Sequence, residues 1–341
     1  MRIQVNARNR GYEFEALPGE RILYAGLRAG IDLPYECATG TCGTCKAKLL
    51  SGRVQDRWPD APGRKFVKPQ AAEFLMCQCA AEDALTLEVS KFVYPVEPGA
   101  CVPQTGSGTV RNVRPLTHDV TGFALELERP RDFDAGQFAL LAPEGIQGYR
   151  AYSMCNYARA ARVLDFVVKR KPDGAFSQWL FGAEREGTRL DVFGPLGKAT
   201  FEPALGKNLL CIAGGSGIAG MMSILARADE ARYFERHDGW VFFGVRTMKD
   251  AFLLKELSAS KAKITVALSE EDVSEKTGKD WPGLRFEKGL VHEVAKRAMA
   301  GKYQNVRAYV AGPPPAVDAA IRVLLLDARL TTDNIRYDKF S

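Results

Sequence analysis

Four cysteines are spaced as an iron–sulfur ligand set. A C-x4-C-x2-C motif and a distant fourth cysteine are formed by Cys37, Cys42, Cys45 and Cys77. This is the spacing of a plant-type [2Fe-2S] ferredoxin. Gly40 and Gly43 inside the loop let it wrap closely and direct backbone N–H groups at the sulfurs. The motif therefore predicts a [2Fe-2S] cluster bound by these four cysteines.

Other uses of these cysteines fit the spacing less well. Structural zinc sites favour paired C-x2-C knuckles, and the sequence has no second knuckle and no histidine nearby. A Rieske centre needs two histidine ligands, but His118, His237 and His292 all lie far from the loop in sequence. The spacing alone leaves Cys79 open as an alternative to Cys77, because both precede the strand LTLEV.

A second group of residues has the chemistry to hold a flavin dinucleotide. Arg150, Tyr152 and Ser153 offer a cation for phosphate, an aromatic ring for stacking and a hydroxyl for hydrogen bonding. Gly174 and Ser177 begin a predicted apolar helix, where free N–H groups and the helix dipole can hold a pyrophosphate. The alternative is a surface strand followed by an ordinary capped helix start. Taken together, the two segments favour FAD.

A third group suits a nicotinamide dinucleotide. The strand NLLCIAGG runs into Gly214, Gly215, Ser216 and Gly217 before a predicted helix, an arrangement that cradles a pyrophosphate. Further strands end in FFGVR and AYVAGPPP, at strand ends where α/β sheets bind ligands. Each turn alone could need glycine for backbone reasons only. Arg246 could bind a 2′-phosphate or stack on adenine, and Asp250 could instead hold a ribose hydroxyl, so the residues leave NADH against NADPH open.

The three predicted sites fit one electron-transfer chain. NADH releases two electrons together as hydride, whereas a [2Fe-2S] cluster takes one, and flavin is the carrier that connects them. Plant-type clusters have potentials near about −400 mV, low enough to reduce a Rieske centre. A rival hypothesis is a non-catalytic electron carrier that binds no nicotinamide. The intact GGSG and AGPPP turns count against that rival.

The elements that must position these residues divide the chain into three parts. Residues 1–92 show short strands around one helical stretch, ERILYAGLRAG, which predicts a compact α+β domain. Residues 93–106 are rich in proline and glycine and predict a linker. An antiparallel β-barrel is predicted over 107–204, and a doubly wound parallel sheet over 205–341. The predicted fold class is therefore multidomain, α+β and α/β.

Composition argues against several other classes of protein. Hydrophobic residues at 46% and charged residues at 26% are the proportions of a folded globular protein. The net charge of +6 is modest and no Lys/Arg block alternates with aromatics, so no nucleic-acid partner is expected. No apolar run has the length of a signal peptide or a membrane span. The sequence thus predicts a cytoplasmic protein without membrane contact, and a monomer is the default expectation.

From end to end the chain resembles the reductase components of bacterial multicomponent oxygenases in the ferredoxin–NADP reductase superfamily, including those of carbazole dioxygenase and toluene monooxygenase. The motifs that carry the resemblance are YECATGTCGTCK, WPDAPG, MCQC, RAYSM, FSQWLF, GPLG, GGSG, AGPPP and RYDKF, in this order. The resemblance implies a β-grasp ferredoxin domain, an FAD-binding barrel and a NAD(P)-binding domain. It favours Cys77 over Cys79, because such ferredoxins show a Cys-Gln pair and Cys77 precedes Gln78.

The resemblance also implies roles for individual residues. Ser153 would lie near the flavin N5 as the catalytic residue, and Phe340 would be the C-terminal aromatic near the isoalloxazine. The implied FAD contacts are Arg150, Ala151, Tyr152, Ser153, Val167, Lys169, Gly174, Phe176, Ser177 and Phe340. The implied nicotinamide contacts are Gly214, Gly215, Ser216, Gly217, Arg246, Gly312, Pro313 and Pro314, with NADH favoured.

The electron acceptor implied by the resemblance is a terminal oxygenase or its ferredoxin. A Rieske ring-hydroxylating dioxygenase comes first, with a soluble diiron monooxygenase or a deoxysugar-biosynthesis dehydrase as alternatives. Three positions depart from many relatives: Gly220 replaces a proline, Ala311 a cysteine and Ala316 a methionine. The cysteine helps to orient the nicotinamide in relatives, so Ala311 bears on the rate of hydride transfer rather than on the chemistry.

Overall fold

The computed structural model describes residues 1–340, in which three main sheets and a two-stranded ribbon follow one another along the chain. The predicted third domain ends at residue 341, which lies outside the described residues. The domain limits predicted from the sequence remain predictions, because sheet membership does not fix where a domain ends.

The first sheet and its helix form a β-grasp domain. Its elements are β1 (Arg2–Ala7), β2 (Gly11–Glu15), α1 (Ile22–Arg28), β3 (Lys46–Ser51), β4 (Val54–Asp56), β5 (Glu73–Leu75), β6 (Cys79–Ala81) and β7 (Leu85–Val89). The strand order is β2-β1-β7-β3-β5, with β1 and β7 parallel, and β4 pairs with β6 separately. Ile3 and Val5 of β1 are buried against Ile22 and Leu23 of α1, because alternate strand residues point to one face.

The second sheet has six antiparallel strands. These are β8 (Gln104–Pro115), β9 (Val120–Arg131), β10 (Phe138–Pro143), β11 (Arg150–Ser153), β12 (Ala161–Lys169) and β13 (Arg189–Leu196), with α2 (Ala175–Gly182) after β12. Their order is β11-β10-β13-β8-β9-β12, and the edge strands β11 and β12 approach each other, which curls the sheet into a barrel. The first strand of this sheet begins at Gln104, inside the predicted linker, because Gln104 pairs with Gly194 of β13. The local sequence TGSG by itself predicts a turn or linker rather than a strand.

The third sheet is parallel and alternates with helices. Its elements are β14 (Asn208–Gly214), α3 (Ile218–Glu230), β15 (Gly239–Val245), α4 (Leu254–Ala259), β16 (Lys263–Leu268), α5 (Glu275–Asp280), β17 (Leu284–Lys288), α6 (Val291–Ala298), β18 (Val306–Gly312), α7 (Pro314–Arg322) and β19 (Ile335–Lys339). The order β17-β16-β15-β14-β18-β19 reverses direction at β14, and a ligand crevice opens at such a reversal. The GGSG and GPPP turns follow β14 and β18, so both lie at this crevice.

Alternate residues of the parallel strands pack on opposite faces of the sheet. Cys211 faces the core that contains α3 and α4, whereas Leu210 and Ile212 face the core that contains α6 and α7. This two-sided burial explains why the strands are apolar without interruption. None of the helices formed by residues 1–340 is both long and apolar enough to cross a membrane.

The ferredoxin domain shares its hydrophobic core with the barrel. Phe193 of β13 stacks on Tyr24 of α1, with ring centroids 4.4 Å apart and an interplanar angle of 18°. Nearby, the Gly197 N–H donates to the Tyr35 hydroxyl at 3.0 Å, and Lys198 pairs with Asp32 at 2.6 Å. An apolar stack bordered by a hydrogen bond and an ion pair therefore holds the two domains together.

We predict that Phe193→Ala destabilises the ferredoxin–barrel junction by about 3–5 kcal/mol, because a fully buried aromatic ring is lost and a cavity remains. The measurement is thermal denaturation, read at the first transition. Phe92→Ala is the matched control, since Phe92 is 55% exposed and Phe193 is 0% exposed. Equal shifts in the two variants would contradict this account of the junction.

Candidate active site

The four predicted cluster ligands lie together as two close pairs of sulfur atoms. Cys45 Sγ is 3.1 Å from Cys77 Sγ, and Cys37 is hydrogen-bonded to Cys42. The contact with Cys42 lowers the pKa of Cys37, whereas the contact with Cys77 and burial raise the pKa of Cys45. Cys79 lies in β6, where it pairs with Asp56 across the ribbon. Four clustered thiols are the donor set that a [2Fe-2S] cluster requires.

The loop around these sulfurs is packed so closely that glycine is needed. Gly40 has φ +89°, and a Cβ there would lie 2.8 Å from Nε2 of Gln78. The Gly63 N–H donates to the Gly40 carbonyl at 2.7 Å. The Thr39 N–H points at Cys37 Sγ at 3.4 Å, and the Gln78 amide points at Cys77 Sγ at 3.4 Å. Donors aimed at thiolate sulfur stabilise the negative charge of a bound cluster.

A cleft of about 430 Å³ begins at this loop and runs along the edge of the barrel. All ten predicted FAD contacts line it: Arg150, Ala151, Tyr152, Ser153, Val167, Lys169, Gly174, Phe176, Ser177 and Phe340. Gly174 precedes α2. The Ser177 hydroxyl is placed to donate a hydrogen bond to the carbonyl oxygens of Lys171 and Gly174, each at 3.0 Å. A side chain at Gly174 would meet the Ser177 Oγ at 2.7 Å, so the cradle stays open only with glycine.

A carboxyl group lies beside the predicted catalytic serine. Ser153 Oγ is 3.4 Å from Asp338 Oδ2, a contact between β11 and β19. Burial raises the pKa of Asp338 to about 6, and the hydrogen bond from Ser153 opposes the shift. Asp338 also borders a second cavity, of about 490 Å³, together with Tyr35 and Lys198. Asp338 therefore borders both the flavin cleft and this second cavity.

A second cleft, of about 570 Å³, opens at the crevice of the parallel sheet. Five predicted nicotinamide contacts line it: Gly214, Gly215, Ser216, Arg246 and Pro313. Gly217, Gly312 and Pro314 do not line this cleft, and the two glycines are buried. A Cβ on Gly217 would lie 2.3 Å from the Ala311 carbonyl oxygen, and one on Gly312 would lie 2.8 Å from that of Gly214, so these glycines let the two turns touch.

Arg246 is held at the mouth of the second cleft. Its Nη2 lies 3.6 Å from Asp250 Oδ1, and its side chain is 58% exposed. The other carboxylate oxygen of Asp250 accepts from the Thr247 N–H at 3.0 Å and the Thr247 hydroxyl at 2.9 Å. Asp250 is thereby fixed in place and orients the guanidinium at the mouth of the cleft.

The two clefts are continuous. Lys169, Lys171, Ser216 and Phe340 border both of them, and Cys37 borders the flavin cleft at its other end. A chain of sites therefore runs from the parallel sheet, past Phe340, along the barrel and to the cysteine loop. Such an arrangement can pass electrons from a dinucleotide through a flavin to a cluster.

Comparisons with known proteins cover the same three segments. The model of a 2Fe-2S iron-sulfur cluster binding domain matches residues 5–82, that of an oxidoreductase FAD-binding domain residues 107–201, and that of an oxidoreductase NAD-binding domain residues 211–322. The chain is 37% identical to the ferredoxin–NAD(P)+ reductase CarAd of Metapseudomonas resinovorans, over 94% of this chain and 95% of the relative. The chain belongs to this family of iron–sulfur flavoprotein reductases. The reductase is an oxidoreductase that uses FAD, NAD and a [2Fe-2S] cluster.

Two further relatives extend along the whole reductase. The xylene/toluene monooxygenase electron transfer component XylA of Pseudomonas putida is 32% identical, over 93% of this chain and 87% of the relative. The solved structure of the ferredoxin reductase in carbazole 1,9a-dioxygenase superposes with a TM-score of 0.83 at 32% identity, covering 100% of this chain and 99% of that one. The predicted fold class, enzyme class and cofactors are confirmed by these matches.

Sequence reasoning gave no role to several residues of the reductase that border the flavin cleft. Trp58 is one, and the Arg150 guanidinium lies 5.4 Å from its ring centroid. Asp338 is another, brought to Ser153 by the edge strand β19. Both stand inside motifs that carried the family resemblance, WPDAPG and RYDKF, but only the packing shows what they contact.

We predict that Cys77→Ser abolishes the cluster of the reductase and that Cys79→Ser retains it, because Cys77 lies in the four-sulfur group. The readouts are iron content and the visible absorbance of the purified proteins. The two residues are equally buried, at 0% and 1% exposure, so general damage to the core is matched. A cluster that survives in the Cys77 variant but not in the Cys79 variant would reverse the assignment.

We predict that Asp338→Asn stabilises the reductase above about pH 6 and has little effect near pH 4. A pKa raised to about 6 means that the folded protein holds this proton more tightly than the unfolded chain does. Stability is therefore lost as the pH rises from the unfolded value of about 4 towards 6, and the asparagine avoids that loss. The test is the melting temperature across this range, with the exposed Asp333→Asn as control. A difference between Asp338→Asn and wild type that does not change with pH would contradict the prediction.

Proposed function

We propose that this reductase oxidises NADH and passes electrons singly, through its cluster, to a terminal Rieske ring-hydroxylating dioxygenase or to that enzyme's ferredoxin. The observation that carries the proposal is the continuity of the sites, with Cys37 at one end of the flavin cleft and Phe340 shared with the dinucleotide cleft. The similarity to the ferredoxin reductase in carbazole 1,9a-dioxygenase over the whole chain supports the choice of acceptor.

The proposed cluster ligands are Cys37, Cys42, Cys45 and Cys77. We assign the FAD phosphates to Arg150 and to the N-terminus of α2, where Gly174 leaves backbone N–H groups open. Burial lowers the pKa of Arg150, but arginine pKa values lie so high that the guanidinium stays charged. The dinucleotide phosphates are assigned to the turn Gly214–Gly217, and the adenosine end to Arg246.

The residues of the chain position the reacting groups, and two of them can hold a proton near the flavin position. FAD, when bound, accepts two electrons from a nicotinamide and releases them one at a time. Phe340 lies between the two clefts, so it controls how closely a nicotinamide can approach the flavin position. The hydroxyl of Ser153 and the carboxyl of Asp338 form a hydrogen-bonded pair that can hold a proton at this place.

The names of two relatives support a second class of electron acceptor. Relatives at 32% identity include the electron transfer component of xylene/toluene monooxygenase and the ferredoxin–NAD+ reductase component of an alkene monooxygenase system of Xanthobacter autotrophicus. These names support a monooxygenase as the alternative acceptor, and within that class we propose a soluble diiron monooxygenase. The matched NAD-binding domain disfavours a carrier without a nicotinamide site.

We further propose a cytoplasmic monomer. None of the eight cysteines, all of which lie in the described residues, forms a disulfide, and such a lack of disulfides is typical of a reducing compartment. The three domains contribute all of the clefts described above from a single chain, so a second copy is not needed to complete a site.

The test of the proposed function is anaerobic titration of the purified protein with NADH, followed by visible absorbance and EPR. We expect the flavin absorbance to fall and the EPR signal of a reduced [2Fe-2S] cluster to appear. In Cys77→Ser the flavin should still be bleached while the EPR signal is absent. If NADH leaves the flavin oxidised in the wild type, the nicotinamide site is wrong and the non-catalytic carrier takes its place.

A further inference from the structure

A short 3-10 helix, Pro62–Phe66, covers the cluster loop from the flavin cleft to the outer surface. Pro62 borders the flavin cleft together with Cys37. In the middle, the Gly63 N–H binds the Gly40 carbonyl at 2.7 Å. At the far end Phe66 packs on Gly43, where an added Cβ would lie 2.6 Å from Phe66 Cδ2. The helix thus has one end at the flavin and the other at solvent.

Phe66 leaves an aromatic surface open directly over the redox centre. The residue is 48% exposed, and it is absent from the residues that border the flavin cleft. A single exposed aromatic is common on protein surfaces, but this one covers Gly43, the neighbour of the half-buried Cys42. Aromatic side chains with one open face are enriched in the centres of protein interfaces.

The surface around Phe66 is positively charged. Residues 62–72 contain Arg64, Lys65 and Lys68 and no acidic residue. Arg64 is neutralised by Asp56. Lys65 and Lys68 are exposed, and neither forms an ion pair with any other residue in the described part of the chain. Lys65 Nζ lies 5.1 Å from the Phe66 ring centroid. Lys65 therefore borders the exposed ring without an ion-pair partner among the described residues, and Lys68 adds a second exposed cation nearby in the chain, where its backbone N–H donates to the Glu73 carboxylate at 2.7 Å.

We propose that Phe66, Lys65 and Lys68 form the docking surface for the electron acceptor, and that the acceptor is a protein with an acidic surface around its own redox centre. The inference rests on the proposed function and specifies its partner. Opposite charges raise the association rate of such partners, whereas the apolar centre excludes water at contact. An acceptor bound here meets the cluster loop on the side away from the flavin, so it does not compete with the dinucleotide.

The test reverses the charge with Lys65→Glu/Lys68→Glu and measures NADH-driven reduction of two acceptors at low salt. Cytochrome b5 serves as the acidic one-electron acceptor and cytochrome c as the basic one. We expect kcat/KM for cytochrome b5 to fall about tenfold or more and that for cytochrome c to rise, because steering by charge is worth about 10- to 1,000-fold in association rate. Added salt should shrink both effects.

The control double variant is Lys261→Glu/Lys302→Glu, which changes the net charge equally. Both lysines are exposed and precede strands of the parallel sheet, at the edge opposite the dinucleotide turns. This control variant should leave the ratio of the cytochrome b5 rate to the cytochrome c rate as in the wild type. Phe66→Leu, which keeps an apolar side chain on Gly43, tests the aromatic contact, with EPR to verify the cluster. We expect a lower rate with cytochrome b5 and an unchanged EPR signal.

Separate outcomes distinguish this inference from the proposed function. The rate at which NADH bleaches the flavin, followed by stopped flow, reports on the proposed function and does not involve the acceptor. One outcome in Lys65→Glu/Lys68→Glu is that NADH bleaches the flavin at the normal rate while both cytochrome rates fall equally. That result would contradict the proposed docking surface and leave the proposed function intact. An unchanged ratio of the two rates, or no reduction of cytochrome b5 by the wild type, would do the same.

Discussion

The buried stack of Tyr24 on Phe193 links the core of the barrel to the cluster loop. The Tyr24 hydroxyl donates to the Ala38 carbonyl at 2.9 Å, and Ala38 follows Cys37 in the chain. One residue of the barrel therefore supports the tyrosine that supports the cysteine loop. Groups that exchange electrons must be held at fixed separation and orientation. The electron-transfer arrangement depends on this junction, because the flavin cleft meets the cluster loop where the two domains pack against each other.

The dinucleotide half of the molecule depends on a second close contact, between two backbone turns. The turn after β14 lies against the turn after β18, and the positions of Gly217 and Gly312 admit no side chain without moving a carbonyl. This contact explains why Gly217 and Gly312, two of the predicted nicotinamide residues, are buried between the turns and do not line the cleft. These two glycines bring the strand ends together so that Gly214, Gly215 and Ser216 line the cleft. Some glycines of such a motif can thus shape a cleft without lining it.

Charge is distributed unevenly along the chain of sites. Lys169 and Lys171 border both clefts, which suits the phosphates of two dinucleotides, whereas the carboxyls of Asp338 and Glu36 both border the flavin cleft, with Asp338 beside Ser153. Two further cations, Lys65 and Lys68, stand where the cluster loop meets solvent. All three domains contribute to these groups. The electrostatic character of the molecule is therefore a property of the assembled chain.

The sequence by itself determined the cluster ligand pattern, the strand and helix alternation and the glycine turns, because these are set by local spacing and backbone conformation. It also carried the family resemblance that the comparisons confirm. The contact between Ser153 and Asp338 joins residues from the second and third domains, and local patterns hold no record of such pairs. The same reason hid the start of β8 at Gln104, which is a strand only because β13 lies beside it. Tertiary packing alone decided how the three sites became continuous and which side of the cluster loop stayed exposed.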